Sequence, residues 1–314
     1  MKQIPMRDGF GKALLSLCEQ NKKLMVLDAD VAKSTRTIWV REQYPEKFLD
    51  MGISEQDMVG TAAGFALSGM IPFVSTYCTF LAGRAWDQIR TTVCYNNLNV
   101  KLAGAHAGIS VGPDGATHQS LEDVALMRVL PNMTVIVPCD AEETRKATLA
   151  IASMNGPCFV RFGREAVPTI TDESTPFEIG KARLCREGSD VTVFANGALV
   201  HEALKAAQAM TDEGISVRVY DLHTVKPLDK EAILSAAVET GCVVTAEEHQ
   251  IHGGMGSAVA EYLAMNKPVP IEMVAVQDRF GQSGQPDELM AYYHLNQKSI
   301  EEKIRLVLSR KNKN

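Results

Sequence analysis

Apolar runs of strand length alternate with longer helical patterns along almost the whole chain, and this alternation is the strongest constraint on its fold. Residues 24–27, 71–77, 100–105, 133–137 and 158–162 form the first series of such runs. Strands that stay apolar at successive positions, separated by helices, predict a parallel sheet covered on both faces. Ahead of them, Phe10, Ala13, Leu14, Leu17 and Cys18 recur at three- and four-residue spacing and predict a first helix. The rhythm breaks between 164 and 190, where Pro168, Pro176 and mixed polar residues read as a linker. A second series follows at 191–195, 217–220, 243–246 and 271–276, each strand but the last leading directly into a helical pattern. A polar loop at 278–285 and two helical segments close the chain. With 314 residues there is room for two cores. The expected architecture is α/β with two domains, 1–165 and 190–314, joined by a linker at 166–189, each a mainly parallel sheet flanked by helices.

Composition narrows the function classes. Hydrophobic residues make up 46% of the chain and charged residues 22%, as in ordinary globular proteins. No apolar run approaches the length of a membrane span. The first residues, Met1-Lys2-Gln3-Ile4-Pro5-Met6-Arg7-Asp8, lack the apolar stretch of a secretory signal, so a cytoplasmic location is expected. The net charge of -6, with acids and bases interleaved, argues against nucleic acid as the main partner. Seven irregularly spaced cysteines without a CxxC pair read as reduced thiols.

Three clusters carry chemistry. In Gly52-Ile53-Ser54-Glu55-Gln56-Asp57-Met58, Ser54 suits a helix cap, and Glu55 and Asp57 suit the positive end of a helix dipole. Taken alone, this is a helix start. The second cluster is Gly112-Pro113-Asp114-Gly115-Ala116-Thr117-His118-Gln119, preceded by His106 at a strand end. Parallel sheets bind ligands beyond the carboxyl ends of their strands, although a polar turn capping the next helix is the plainer reading. The third, Phe162-Gly163-Arg164-Glu165, sets a fixed positive charge just after a strand, where an ordinary surface arginine is the alternative.

Together, in this order and spacing, the clusters resemble the pyrimidine-binding and C-terminal domains of the transketolase family, and the resemblance spans nearly the whole chain. Its most specific pieces are GISEQ, the DGATHQ loop, and Thr245-Ala246-Glu247-Glu248-His249 leading into Gly253-Gly254-Met255-Gly256. The resemblance implies a thiamine-diphosphate enzyme that transfers a two-carbon ketol unit between sugar phosphates, as in the pentose phosphate pathway. Such a cofactor needs a carboxyl group hydrogen-bonded to the N1' atom of its aminopyrimidine in a dry pocket, where desolvation favours a shared proton. Glu55 matches that position. Phe80 matches the aromatic residue stacked on the pyrimidine, and Asp30 lies where the family approaches the thiazolium. His118 and Asp114 resemble the groups that polarise the substrate and recognise its hydroxyls. His106 and Arg164 resemble ligands of the sugar phosphate, and Arg7 and Ser34 further phosphate contacts. Two departures stand out: Ala116 replaces a proline common in this loop, and Leu81-Ala82-Gly83 stands where family members carry more aromatics.

The sequence has no Gly-Asp-Gly followed some 25 to 30 residues later by Asn, the family's signature for the metal and diphosphate. The resemblance therefore implies a separate N-terminal chain that supplies the oxygen ligands for Mg2+ or Ca2+, in a heterotetramer with two copies of each chain. Three alternatives stay open: a 1-deoxyxylulose-5-phosphate synthase-like subunit, a 2-oxoacid dehydrogenase E1 β-like subunit, and a catalytically silent structural partner.

Overall fold

The structure is a computed structural model that describes residues 2–311. Its first half is built on a seven-stranded sheet in the order Thr224–Lys226, Thr134–Ile136, Cys158–Arg161, Lys101–Ala105, Ile71–Tyr77, Leu24–Asp28, Phe48–Asp50. All neighbours run parallel except the first pair. The central strands are buried along their length, which is why their sequences show no polar alternation. The second half carries a five-stranded sheet in the order Ile271–Val276, Val243–Gln250, Val191–Ala195, Val217–Asp221, Arg183–Arg186, parallel but for the last strand. The α/β reading with two mainly parallel, helix-flanked sheets is therefore correct.

The structure also adds strands that periodicity does not reveal. Within the segment read as a linker, Ala166–Pro168 pairs with Gln3–Pro5, and Arg183–Arg186 forms the edge of the second sheet. Three- and four-residue edge strands are too short to show a period. A further difference follows Val217–Asp221, where a helical pattern was expected directly. Instead Thr224–Lys226 crosses over and pairs antiparallel with Thr134–Ile136 of the first sheet, before the helix Lys230–Glu239 begins. Leu222, Val225 and Ile233 accordingly belong to one apolar cluster with Val124, Met127 and Val135 of the first half.

Parallel strands bring their carboxyl ends to one side. The loops after Leu24–Asp28, Phe48–Asp50, Ile71–Tyr77, Lys101–Ala105 and Cys158–Arg161 therefore share one end of the first sheet. These loops carry Asp30 and Ser34, Glu55, Phe80, His106 to His118, and Arg164 respectively. The cysteines are free thiols, buried except for the half-buried Cys185. No helix among the described residues is long and apolar enough to cross a membrane.

The helix Met6–Gln20 crosses Ala141–Ala152 closely enough that backbone touches backbone at Gly9, where a Cβ would lie 1.8 Å from the carbonyl oxygen of Ala141. Neither partner is a flexible side chain, so the helices would have to part. Gly9→Ala is expected to cost about 1–3 kcal/mol, the usual penalty for overpacking. Urea unfolding measures it, and a variant as stable as the parent would show that the helices do not meet there.

Candidate active site

Several of the candidate residues form one run of contacts that starts at Glu55. Its side chain is 1% exposed and lies in the first turn of the helix Glu55–Leu67. Both carboxylate oxygens accept from Arg84, at 3.0 and 2.8 Å. The Arg84 guanidinium in turn lies over the Phe80 ring, 4.4 Å from its centroid. Phe80 meets His118 edge-on at 5.2 Å and stacks with Tyr77 at 6.1 Å. Tyr77 stacks on His106 at 4.6 Å and donates its hydroxyl to Ser34 at 3.1 Å. Arg7 completes the run, donating to the Ser34 carbonyl at 3.2 Å and to Nε2 of His106 at 3.3 Å.

Two acids, the buried Asp28 and the exposed Asp50, hold the loops that present these groups. Asp28 ends its strand fully buried and accepts from the Val31 N–H and from the hydroxyls of Thr35 and Thr37. Burial pushes its carboxyl up to about 6 even so. Asp50 accepts through one oxygen from the backbone N–H groups of Asp30 and Gly52, tying the loop of Asp30 to the loop of Glu55. Asp30 itself is exposed, with φ at 61°.

His106 is 3% exposed, and its pKa falls to about 3, through burial first and then through the positive charges of Arg7 and Arg164. It is a neutral ring that accepts from Arg7 at Nε2, which assigns its proton to Nδ1. The Arg7 guanidinium is held below its ordinary value by burial first and then by Arg36. Arg164 is one-third exposed and donates to the Val111 carbonyl and to Asp114 at 3.2 and 3.3 Å. Asp114 is thus paired with Arg164 on the exposed rim of the loop that carries His118. His118 itself is half-buried and bonds through Nδ1 to the Thr117 hydroxyl at 2.9 Å.

The second half holds this loop from behind. Glu248, a buried carboxylate, accepts from the Ser110 N–H at 2.6 Å, and burial raises its pKa. A Cβ on Gly108, where φ is 88°, would lie 2.3 Å from that carboxylate. Gln119 donates to the carbonyls of Ile109, Gly112 and Gln282, stitching the loop to residues 278–285. A cavity of about 610 Å³ lies between the two halves behind this loop, lined by Ser110, Arg161, Glu165, His201, Glu248 and Asp287 among others. It does not include Glu55, Phe80 or His118.

Among the described residues, one group has the spacing of metal ligands: Cys139, Glu143 and Asp221, whose ligand atoms lie within 4.8 Å of one another. Arg183 already donates to Asp221 at 2.8 Å, and burial, followed by the charge of Asp221, raises the pKa of the Glu143 carboxyl. A soft thiol beside a carboxylate already paired with an arginine is a poor ligand set for a hard divalent cation.

Sequence reasoning missed Tyr77, Arg84, Asp28 and Asp50. Tyr77 ends a strand and reads as core. The pairing of Arg84 with Glu55 depends on the π-helical turn Phe80–Arg84, which no apolar period announces.

Comparison with known proteins bears on this arrangement. Residues 2–169 match the family model described as the transketolase pyrimidine binding domain, and residues 180–300 the transketolase C-terminal domain. The chain is 43% identical over 302 residues to a putative transketolase C-terminal section of Methanocaldococcus jannaschii, covering 95% of each. It is 41% identical to a 6-deoxy-6-sulfo-D-fructose transketolase subunit of a Clostridium species, over 98% of this chain and 95% of that one. A solved structure described as a split gene transketolase, inactive beta4 tetramer, superposes with a TM-score of 0.92 at 45% identity, covering 98% of this chain and 99% of that one. The chain belongs to the transketolase family, of which it carries the pyrimidine-binding and C-terminal domains.

Proposed function

We propose that this chain is the C-terminal subunit of a two-chain, thiamine-diphosphate-dependent transferase that moves a two-carbon ketol unit between sugar phosphates. The observation that carries the reading is the run of contacts from Glu55 by way of Arg84 to Phe80, and on through His118, Tyr77 and His106 to Arg7, at the ligand-binding end of a parallel sheet. The residues fit the cofactor: the Arg84 guanidinium, a flat N–H donor, sits against Phe80 and donates to Glu55, the two contacts an aminopyrimidine makes. When bound, the cofactor supplies a carbon nucleophile able to add to a ketose carbonyl. Glu55 would hold and share the proton at the pyrimidine N1' atom, Phe80 would offer its ring to the pyrimidine, and Asp30 would lie toward the thiazolium. His118 and Asp114 polarise the substrate carbonyl and recognise a neighbouring hydroxyl. Arg7 and Arg164 bind the terminal anion of the sugar, with Ser34 beside them. His106, being neutral, fixes the Arg7 guanidinium and offers its Nδ1–H, rather than a charge.

The relatives named as a C-terminal section and as a subunit support an N-terminal partner, as does the absence of a Gly-Asp-Gly…Asn signature from this sequence. We place the Mg2+ or Ca2+ ligands on that partner, in a cytoplasmic heterotetramer of two copies of each chain. The division into 1–165, 166–189 and 190–314 belongs to the same proposal. The sulfo-sugar named for one relative is compatible with the arginine pair, since a sulfonate takes the same charge-assisted hydrogen bonds as a phosphate.

Reconstitution tests the reading. This chain is expected to show no ketol transfer alone and to gain it on mixing with the N-terminal chain. In that mixture Glu55→Gln should lose about 10²- to 10⁴-fold in turnover, because an amide cannot shuttle the N1' proton. Wild-type exchange of the cofactor C2 proton in the variant would reduce Glu55 to a helix-start residue.

Arg164→Ala is expected to weaken phosphorylated acceptors roughly ten- to a hundredfold, the worth of a charge-assisted contact. The loss should appear in KM, because a phosphate remote from the reacting carbon binds alike in ground and transition states. Glycolaldehyde, which has no phosphate, is the control. An equal fall in kcat/KM for both acceptors would defeat the assignment.

His106 yields a pH prediction. Its folded pKa of about 3 lies below the ordinary 6.5, so between these values the unfolded chain takes up a proton that the folded chain refuses. The stability this contributes is fully present above pH 6.5 and is lost as the pH falls toward 3. Between pH 7.5 and 5, His106→Asn should lose on the order of 1–2 kcal/mol less than the parent in urea unfolding. Parallel losses would show that His106 protonates in the folded state.

A further inference from the structure

Arg84 joins Glu55 to Phe80, and the function proposed above gives it no role of its own. The π-helical turn Phe80–Arg84 widens the backbone so that Arg84 folds back over the ring at the start of the same turn. The Arg84 carbonyl accepts from Gln56 at 3.1 Å, which anchors the end of this turn to the helix that begins at Glu55. The guanidinium then makes two contacts at once. It donates to both oxygens of a carboxylate that is 1% exposed, and it covers a face of Phe80 at 4.4 Å. Tyr77 and His118 are the other rings beside Phe80. A flat ring cannot stack on the face that Arg84 covers, nor reach a carboxylate whose oxygens both point at Arg84, until the guanidinium moves. Such movement is open to it, since the Arg84 side chain is 46% exposed.

We propose that Arg84 competes with the aminopyrimidine of the cofactor for Glu55 and for the face of Phe80, and so sets how tightly the cofactor is held. The proposal rests on the assignment of Glu55 and Phe80 to the cofactor. Binding exchanges one ion pair and one cation–π contact for a hydrogen bond and a stacked ring. The affinity measured is the intrinsic one reduced by the cost of displacing Arg84. That cost is modest, because a half-exposed ion pair is screened by water, but it is not zero, because the carboxylate end is buried.

The test is the dissociation constant of thiamine diphosphate, titrated calorimetrically with Mg2+ present into the complex with the N-terminal chain. Arg84→Ala is expected to bind the cofactor about three- to thirtyfold more tightly than the parent. Arg84→Lys, which keeps the charge but loses the flat stacking group, should fall between them. Arg84→Gln retains the stem and repeats the measurement if the alanine variant fails to assemble, with tightening expected again. Unchanged or weaker binding in the assembled variants overturns the competition, since a merely structural arginine has no route to tighter binding on its removal. Glu55→Gln separates the two levels of argument. If it weakens the cofactor while the Arg84 variants do not tighten it, only the competition falls. If it leaves both affinity and C2 proton exchange at parental values, the cofactor assignment falls, and the competition with it.

Discussion

The arrangement at the candidate site depends on one buried guanidinium. Arg161 ends a central strand of the first sheet, 5% exposed, and its Nε donates to the fully buried Asp123 at 2.8 Å. Its Nη2 donates to the carbonyls of Ser120 and of Glu248 at 3.4 and 2.6 Å. One side chain thus ties together the sheet, the start of the helix Asp123–Arg128, the end of the loop that carries His118, and a strand of the second half. A charge this deep is tolerated because it is paired with Asp123 and its Nε and Nη2 donors find acceptors, and removal of either partner would strand the other. Glu248 then repeats the junction one layer outward through Ser110. The loop of Asp114 and His118 is consequently set by both halves, which gives the C-terminal domain a part in shaping the candidate site.

Electrostatics divide the surface into two regions. Near Glu55 a single buried carboxylate faces a single arginine, and charge is balanced locally. Near His106 arginines crowd together: Arg7 and Arg164 lie close enough to depress the histidine, and Arg36 adds to the field on Arg7, although Arg36 is paired with Asp8 and Arg164 with Asp114 and Glu165. A region that holds guanidinium groups together against their mutual repulsion is suited to an anion. The neutral histidine between Tyr77 and Arg7 lets the cluster pack without a further positive charge.

Much of the fold is legible in the sequence because burial on both faces leaves a simple trace. A strand such as Ile71–Tyr77 has almost no solvent-facing position, so its apolar run stands out against the helices beside it. The short edges left no such trace: Thr224–Lys226 and Arg183–Arg186 acquire their partners only through tertiary contact. The same division applies to the site. Glu55, His118 and Arg164 sit in loops with distinctive local chemistry, and the parallel topology brings those loops together. Tyr77 looks like one more core aromatic, and Arg84 like one more surface cation, because their importance lies in a π-helical turn and in neighbours far away in sequence. Asp28 and Asp50 act on backbone N–H groups, and such organising contacts carry no motif.

The strand Thr224–Lys226 binds the two halves in a way that neither contact area nor linker length conveys. It leaves the second half, completes the margin of the first sheet beside Thr134–Ile136, and returns to begin the helix Lys230–Glu239. Cutting the chain between its halves would therefore not yield two finished domains. The first fragment would present a raw row of backbone donors and acceptors, a template for pairing with any extended chain nearby. The second would carry a loose ribbon with nothing to lie against. A gene encoding either half alone would specify an aggregation hazard, so whatever division separates this chain from a partner has to fall outside the span joined by that ribbon.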